Sequence, residues 1–150
     1  MRTPFILSLL AALGMSVYAA RTFHYGASQF YESQTAPVTT YPFTVSCWFR
    51  ATSAASNQVL VCLSYTGDAR RFQIVNSGAT AGDPVALAVV TNTGTVGVNV
   101  TSSVPFIAGE WTSAIAVCAS STSQIIYVNG SGAGTNTTSM PLSGLDRFQI

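Results

Sequence analysis

Five carboxylates, one histidine and three cysteines are the whole stock of residues for acid–base, nucleophilic or metal chemistry in this chain. The acids are Glu32, Asp68, Asp83, Glu110 and Asp146. Glycoside cleavage needs two carboxyl groups flanking the scissile bond, one as acid and one as nucleophile or base. No two of these acids are close in sequence, so a pair set along one strand is absent and hydrolysis is not expected. Glu110, just before Trp111, reads as a solvated turn residue. His24 sits in Phe23-His24-Tyr25, an aromatic strand-like segment, and reads as a packed or surface-facing side chain rather than a general base. No catalytic residue is assigned.

Metal chemistry has equally little to work with. Zinc sites need clustered Cys and His, and Cys47, Cys62 and Cys118 have no metal-type spacing. Each lies in an apolar run, where a thiol behaves as a small hydrophobe. A disulfide between two of them would leave the third over. Calcium takes six to eight oxygen ligands, usually with carboxylates among them. Asp68 and Asp83, both in turn sequences, are the candidate ligands, against the competing reading of turn-forming Asp. No cofactor is expected, with calcium the one ion the chain could hold.

Around these residues stands a chain of 150 residues, 48% apolar and 7% charged. That length suits one domain, and the low charge excludes a disordered polypeptide. All six basic residues are Arg, scattered apart from Arg70-Arg71. Nucleic-acid binders carry a basic stripe, so no nucleic acid is expected as partner.

Residues 1–19 read as a secretory signal peptide: Arg2, an apolar centre from Phe5 to Leu13, and Val17-Tyr18-Ala19 as a small-residue cleavage pattern. The apolar run is short for a membrane span, which takes about 20 residues. Residues 20–150 would then be the mature domain, extracellular or secreted. A translation start at Met15 is the rival reading, and it would place the protein in a virion or the cytoplasm.

From Arg21 onward the apolar residues alternate with period two, and no segment has the i, i+3, i+4, i+7 pattern of a helix. Phe43, Val45, Cys47 and Phe49 share one face, and Thr44, Ser46, Trp48 and Arg50 the other. Further strands are expected at 59–65, 71–75, 85–89, 96–101, 111–118 and 125–128. Thr66-Gly67-Asp68, Asn76-Ser77-Gly78, Gly82-Asp83-Pro84, Asn92-Thr93-Gly94 and Asn129-Gly130 supply turn chemistry between them. Short strands with such breaks predict an all-β sandwich or barrel. One echo, Arg71-Phe72-Gln73-Ile74 and Arg147-Phe148-Gln149-Ile150, reads as two strands sharing an alternation rather than a true repeat.

Four segments in order resemble one known family: Gly26 to Tyr31, Phe43 to Arg50, Gly109-Glu110-Trp111, and Ile126-Tyr127-Val128-Asn129-Gly130. Together they are similar to the laminin-G-like jelly roll of the concanavalin A-like lectin/glucanase superfamily, over about residues 21–150. The resemblance implies an antiparallel two-sheet jelly-roll sandwich. Thr112 and Ser113 stand where the family has two His after the Trp, and Ser28 and Gln29 replace the acids of its opening motif. The family pattern continues past the position of Ile150, so the last strands are expected to be missing and a sheet edge open for association.

The implied function is a non-catalytic binding module for a glycan or surface protein, with a structural or adhesion domain of a virus particle or cell-surface assembly as alternative and an oligomer as one outcome. Binding on such scaffolds is carried by loops, which puts Tyr65, Asp68, Asn92, Asn129 and Asn136 forward as ligand contacts. Trp48 and Trp111 could stack on sugar rings, but their strand positions predict core packing. Asn99, Asn129 and Asn136 also head N-glycosylation patterns, of consequence in a secreted eukaryotic protein.

Overall fold

Alternation sets the two faces of each strand, and β2 (Phe43–Phe49) follows it closely. Phe43, Val45, Cys47 and Phe49 join the core while Thr44, Ser46 and Trp48 turn to solvent. The computed structural model describes residues 30–94, 96–140 and 144–150. The leader, Met15, His24 and the segment from Gly26 to Gln29 lie outside the described residues.

Residues 31–150 make one compact unit of two antiparallel sheets. The remaining strands are β1 (Glu32–Ser33), β3 (Asn57–Ser64), β4 (Arg71–Ser77), β5 (Pro84–Val90), β6 (Val96–Pro105), β7 (Thr112–Ser120), β8 (Ser123–Val128), β9 (Ser131–Asn136) and β10 (Arg147–Gln149). One sheet runs β1-β10-β3-β4-β5-β6 and the other β2-β7-β8-β9. The expected two-sheet jelly-roll sandwich is what the chain forms. Among the described residues no helix is long and apolar enough to cross a membrane.

The core lies between the inner faces. Val61, Leu63, Phe72, Ile74, Val85, Leu87 and Val100 come from the six-stranded sheet. Phe43, Ala114, Ala116, Cys118, Ile126 and Val128 answer from the four-stranded one. Small Ala and Cys side chains on β7 leave room for the rings opposite, so Phe43 meets Phe72 edge-on at 5.2 Å. All three cysteines are free thiols. Burial pushes Cys47 up to about 11 and Cys118 up to about 12, because a buried thiolate loses its hydration.

Glycine closes one side of the sandwich. A Cβ at Gly134 of β9 would collide with the backbone carbonyl of Thr101 on β6, so only a bare Cα lets the two sheets approach there. The Asn129-Gly130 turn joins β8 and β9 with φ of 50° and 76°, the two left-handed residues of a tight hairpin.

The Arg-Phe-Gln echo has a structural cause. Arg71, Phe72 and Gln73 pair with Ser64, Leu63 and Cys62 on one side of β3. Arg147, Phe148 and Gln149 pair with the same three residues on its other side. Identical register against one strand demands the same alternation, with each Phe turned to the core beside Leu63.

Three expectations need correction. Trp48 and Trp111 are not core residues: they are 69% and 52% exposed, Trp48 because alternation puts it opposite Phe49, and Trp111 because it precedes the first inward residue of β7, Thr112. Val59 does not share the face of Val61, since a bulge between them shifts the register and leaves Val59 exposed. Asn76 and Ser77 are not turn residues but the buried end of β4. Asn76 is satisfied there, its Oδ1 accepting from Gln58 N at 2.7 Å and its Nδ2 donating to Gln58 Oε1 at 2.9 Å. In the six-stranded sheet β10 lies between β1 and β3, while β2 forms an outer strand of the other sheet.

Candidate functional site

The loop from Tyr65 to Arg70 joins β3 to β4 and is built around one carboxylate. Tyr65 N donates to Arg70 O at 3.1 Å, closing the hairpin. Within it Asp68 Oδ1 accepts from Arg70 N at 2.8 Å, the side-chain-to-backbone bond for which Asp is favoured in turns. Arg70 Nε also donates to both Asp68 oxygens at 3.0 Å, and its guanidinium lies 4.4 Å from the Tyr65 ring centre. A side chain at Gly67 would strike that ring, so the glycine lets tyrosine fold back over its own loop. Arg70 holds the Asp68 carboxyl below the usual carboxylate range, chiefly by hydrogen bonding.

A second chain segment braces the same loop. Asp146, just before β10, accepts from Thr66 N at 3.1 Å and from Thr66 Oγ1 at 2.6 Å. Asp68 and Asp146, 78 positions apart, thus serve one loop, a convergence the separation of the acids hid.

Beside this loop a cavity of about 430 Å³ opens at the end of the sandwich. Its apolar wall includes Phe72, Val89, Met140 and Leu145, and its polar side includes Asp68, Arg70, Arg71, Thr91 and Asn92. Tyr41 also lines it, its hydroxyl donating to Met140 O at 2.6 Å. Burial, reinforced by the nearby Cys118, pushes the Tyr41 phenol up to about 12. An apolar wall with a few oriented polar groups is the usual make-up of a small-ligand site.

Residues 25–149 match the concanavalin A-like lectin/glucanases superfamily through its laminin G-like family. The chain belongs to this family. Among solved structures, domains LG4-5 of the mouse laminin alpha1 chain are similar to this laminin G-like domain at 17% identity and a TM-score of 0.56, covering 82% of this chain and 31% of that one. The heptameric SAP-like pentraxin of Limulus polyphemus is similar at 13% identity and a TM-score of 0.56, covering 74% and 52%. The chain therefore spans about a third of the first and half of the second. No curated protein sequence matches the chain.

Within this laminin G-like domain the five loop candidates divide. Tyr65, Asp68 and Asn92 gather at the cavity end, Tyr65 through its contact with Arg70. Asn136 is spent internally: Nδ2 donates to Gln124 Oε1 at 2.6 Å and Thr138 O at 2.8 Å, and Oδ1 accepts from Thr138 N at 3.1 Å. Asn129 belongs to the opposite end, where Oδ1 accepts from Ser113 N at 2.9 Å. Of the three glycosylation patterns, only the one at Asn99 has an exposed asparagine in mid-strand, on β6. Arg70, Arg71 and Tyr41 were missed as site residues; the Arg70-Arg71 pair was visible in the sequence, whereas Tyr41 reaches the cavity only through tertiary packing.

The two metal candidates do not meet. Asp68 lies before β4 and Asp83 after it, so the seven residues of that strand hold them roughly 20 Å apart. Asp83 has a φ of 43° and its carbonyl accepts from Phe106 N at 3.0 Å, the work of a turn residue. Both oxygens of Asp68 face a guanidinium, which a cation would have to displace. Among the described residues no three His, Cys, Asp or Glu side chains converge.

Proposed function

We propose that this domain is a non-catalytic binding module of a secreted or surface protein, and that its end cavity takes a glycan. One observation carries the reading: an apolar wall faces a rim of acceptor, donor and amide groups, Asp68, Arg71 and Asn92, within one cavity. A sugar offers both halves of that pattern, C–H faces for the wall and hydroxyl groups for the rim. The acid–base role is disfavoured by the same geometry. A general acid needs its carboxyl pKa raised, and Asp68 is shifted the other way.

A glycan array probed with the full chain tests this. Binding of a neutral or N-acetylated oligosaccharide is expected, unchanged by chelator, and weakened about tenfold or more in Asp68→Ala and Asn92→Ala, the scale of removing hydrogen bonds from a buried ligand. An array without binding, or binding that both variants keep in full, would overturn the reading.

A further inference from the structure

The four-stranded sheet turns a second surface to solvent, away from the cavity. By register, Trp48 on β2 lies opposite Ser113 on β7, and Trp111 stands two positions before Ser113. Trp111 lies one residue before β7, whose first pair is Phe49 with Thr112, so the two tryptophans stand at the same end of the β2-β7 pair. Both are exposed, at 69% and 52%. Next along the face comes the row Ser46, Ile115 and Tyr127, then Thr44, Val117, Ile125 and Thr135. Ile115, Val117, Ile125 and Tyr127 are half-buried and Thr44, Ser46 and Thr135 exposed. These inner rows carry no charge, and the charged residues beside the two tryptophans are Arg50 and Glu110, both exposed.

The backbone that carries the tryptophans is braced. Arg50 Nε donates to Gly109 O at 2.7 Å, and Gly109 N donates to Ala51 O at 2.8 Å. These bonds clamp the turn before Trp111 to the strand end that carries Trp48. Glu110 N donates to Ile107 O at 3.1 Å, and Gly109 takes a φ of 85°, so the turn itself has little freedom. With the backbone already held, binding has only the rotamers of the two indoles to order.

We propose that this face is a second ligand surface, on which Trp48 and Trp111 stack against rings of an uncharged polysaccharide chain. The chemistry of the face selects that ligand. Aromatic planes meet the C–H faces of pyranose rings, and the hydroxyls of Ser46, Thr44 and Thr135 suit a polyol. The uncharged rows complement a neutral polymer, and the one Arg and one Glu beside the indoles, of opposite sign, give the face no net charge to attract a charged one. A protein partner fits less well: serine is depleted at the centre of protein interfaces, and here the aliphatic side chains are sunk between exposed hydroxyls. The proposal is independent of the end cavity, which lies at the other end of the strands.

Trp48 and Trp111 are the only two tryptophans of the chain, so intrinsic tryptophan fluorescence reports this face alone. The test titrates the full chain with soluble hydroxyethylcellulose, glycol chitin and a β-1,3-glucan, with acrylamide quenching as readout. Co-sedimentation with microcrystalline cellulose and with chitin runs alongside. At least one polymer is expected to shield the indoles and retain the protein. Trp48→Ala and Trp111→Ala should each weaken retention about tenfold, as expected for one lost stacking partner, with Trp48→Phe between them and the parent chain. Asp68→Ala should keep full retention while losing oligosaccharides at the cavity, so the two sites fail separately. Quenching unchanged by every polymer would overturn the proposal, as would retention indifferent to both alanine variants. A dimer seen by light scattering and dispersed by Trp48→Ala, without polymer retention, would assign the face to a second copy instead.

Discussion

The cavity end and the outer face of the four-stranded sheet use aromatic residues in opposite ways. At the cavity Tyr65 is folded over Gly67 and covered by the Arg70 guanidinium, so its ring helps to build the loop. On the outer face the indoles of Trp48 and Trp111 lie largely open, positioned by strand register and by the Arg50–Gly109 bond. The first region is assembled by loops from distant parts of the chain, with Asp146 tied to Thr66 of the loop that Asp68 organises. The second is read off one pair of neighbouring strands. Loop-built sites should therefore respond to polar substitutions and pH, and the strand-built face should not.

The largest effect is one that erases the contrast. Leu87→Ala, at a position with no exposure, should cost about 2–5 kcal/mol in urea denaturation, and both regions should fail together as the sandwich opens. Alkaline pH comes next. Burial pushes Cys47 and Cys118 up to about 11 and about 12 from an ordinary 9.0, and Tyr41 up to about 12 from 10.0. Folded groups that hold their protons to higher pH stabilise the fold below the unfolded values, and that contribution drains away as pH rises through the folded ones. Urea midpoints should accordingly fall between pH 9 and 12, while at pH 8 in native protein the thiols should react slowly with iodoacetamide.

Acid sharpens the comparison instead. Asp68 is lowered by Arg70, so its pairing persists above the usual carboxylate range and is lost as pH falls below it. Oligosaccharide binding at the cavity should decline only in strong acid, with tryptophan quenching on the other face unaltered across the same titration. The smallest effect is expected for Trp48→Phe. A largely exposed side chain contributes little to packing, so stability should move by less than about 0.5 kcal/mol. A larger loss would mean that the indole is needed by the fold rather than displayed by it.

Much of this was legible beforehand at some positions and hidden at others. The alternation of Phe43 to Phe49 showed which residues share a face, and the turn residues showed where β8 meets β9. Alternation alone does not say which face is inward when Trp lies on one side and Phe on the other. The strand position of Trp48 argued for burial, but it is Phe43, Val45 and Cys47 that face the core, paired with Cys118, Ala116 and Ala114. The bulge at Val59 leaves no mark in residue type, because it arises from pairing with β4. Among the site candidates, Asp68 and Asn92 were findable as turn residues, but their common cavity depends on β3-β4 and β5-β6 loops emerging at one end of the sheet. Asn136 looked equally available and is consumed by Gln124 and Thr138.

Period-two hydrophobicity and turn chemistry, both local properties, were enough to specify an all-β sandwich or barrel from the amino-acid order alone, and the resemblance of four segments to the laminin-G-like family narrowed that to a two-sheet jelly roll. The tertiary structure decided what faces water and what converges: that Trp48 and Trp111 are displayed, that Asp68 and Asp83 are a strand apart, and that Asp68 and Asp146 brace one loop. Those outcomes depend on which strands pair and in what register, and register is settled by contacts between residues far apart in the chain.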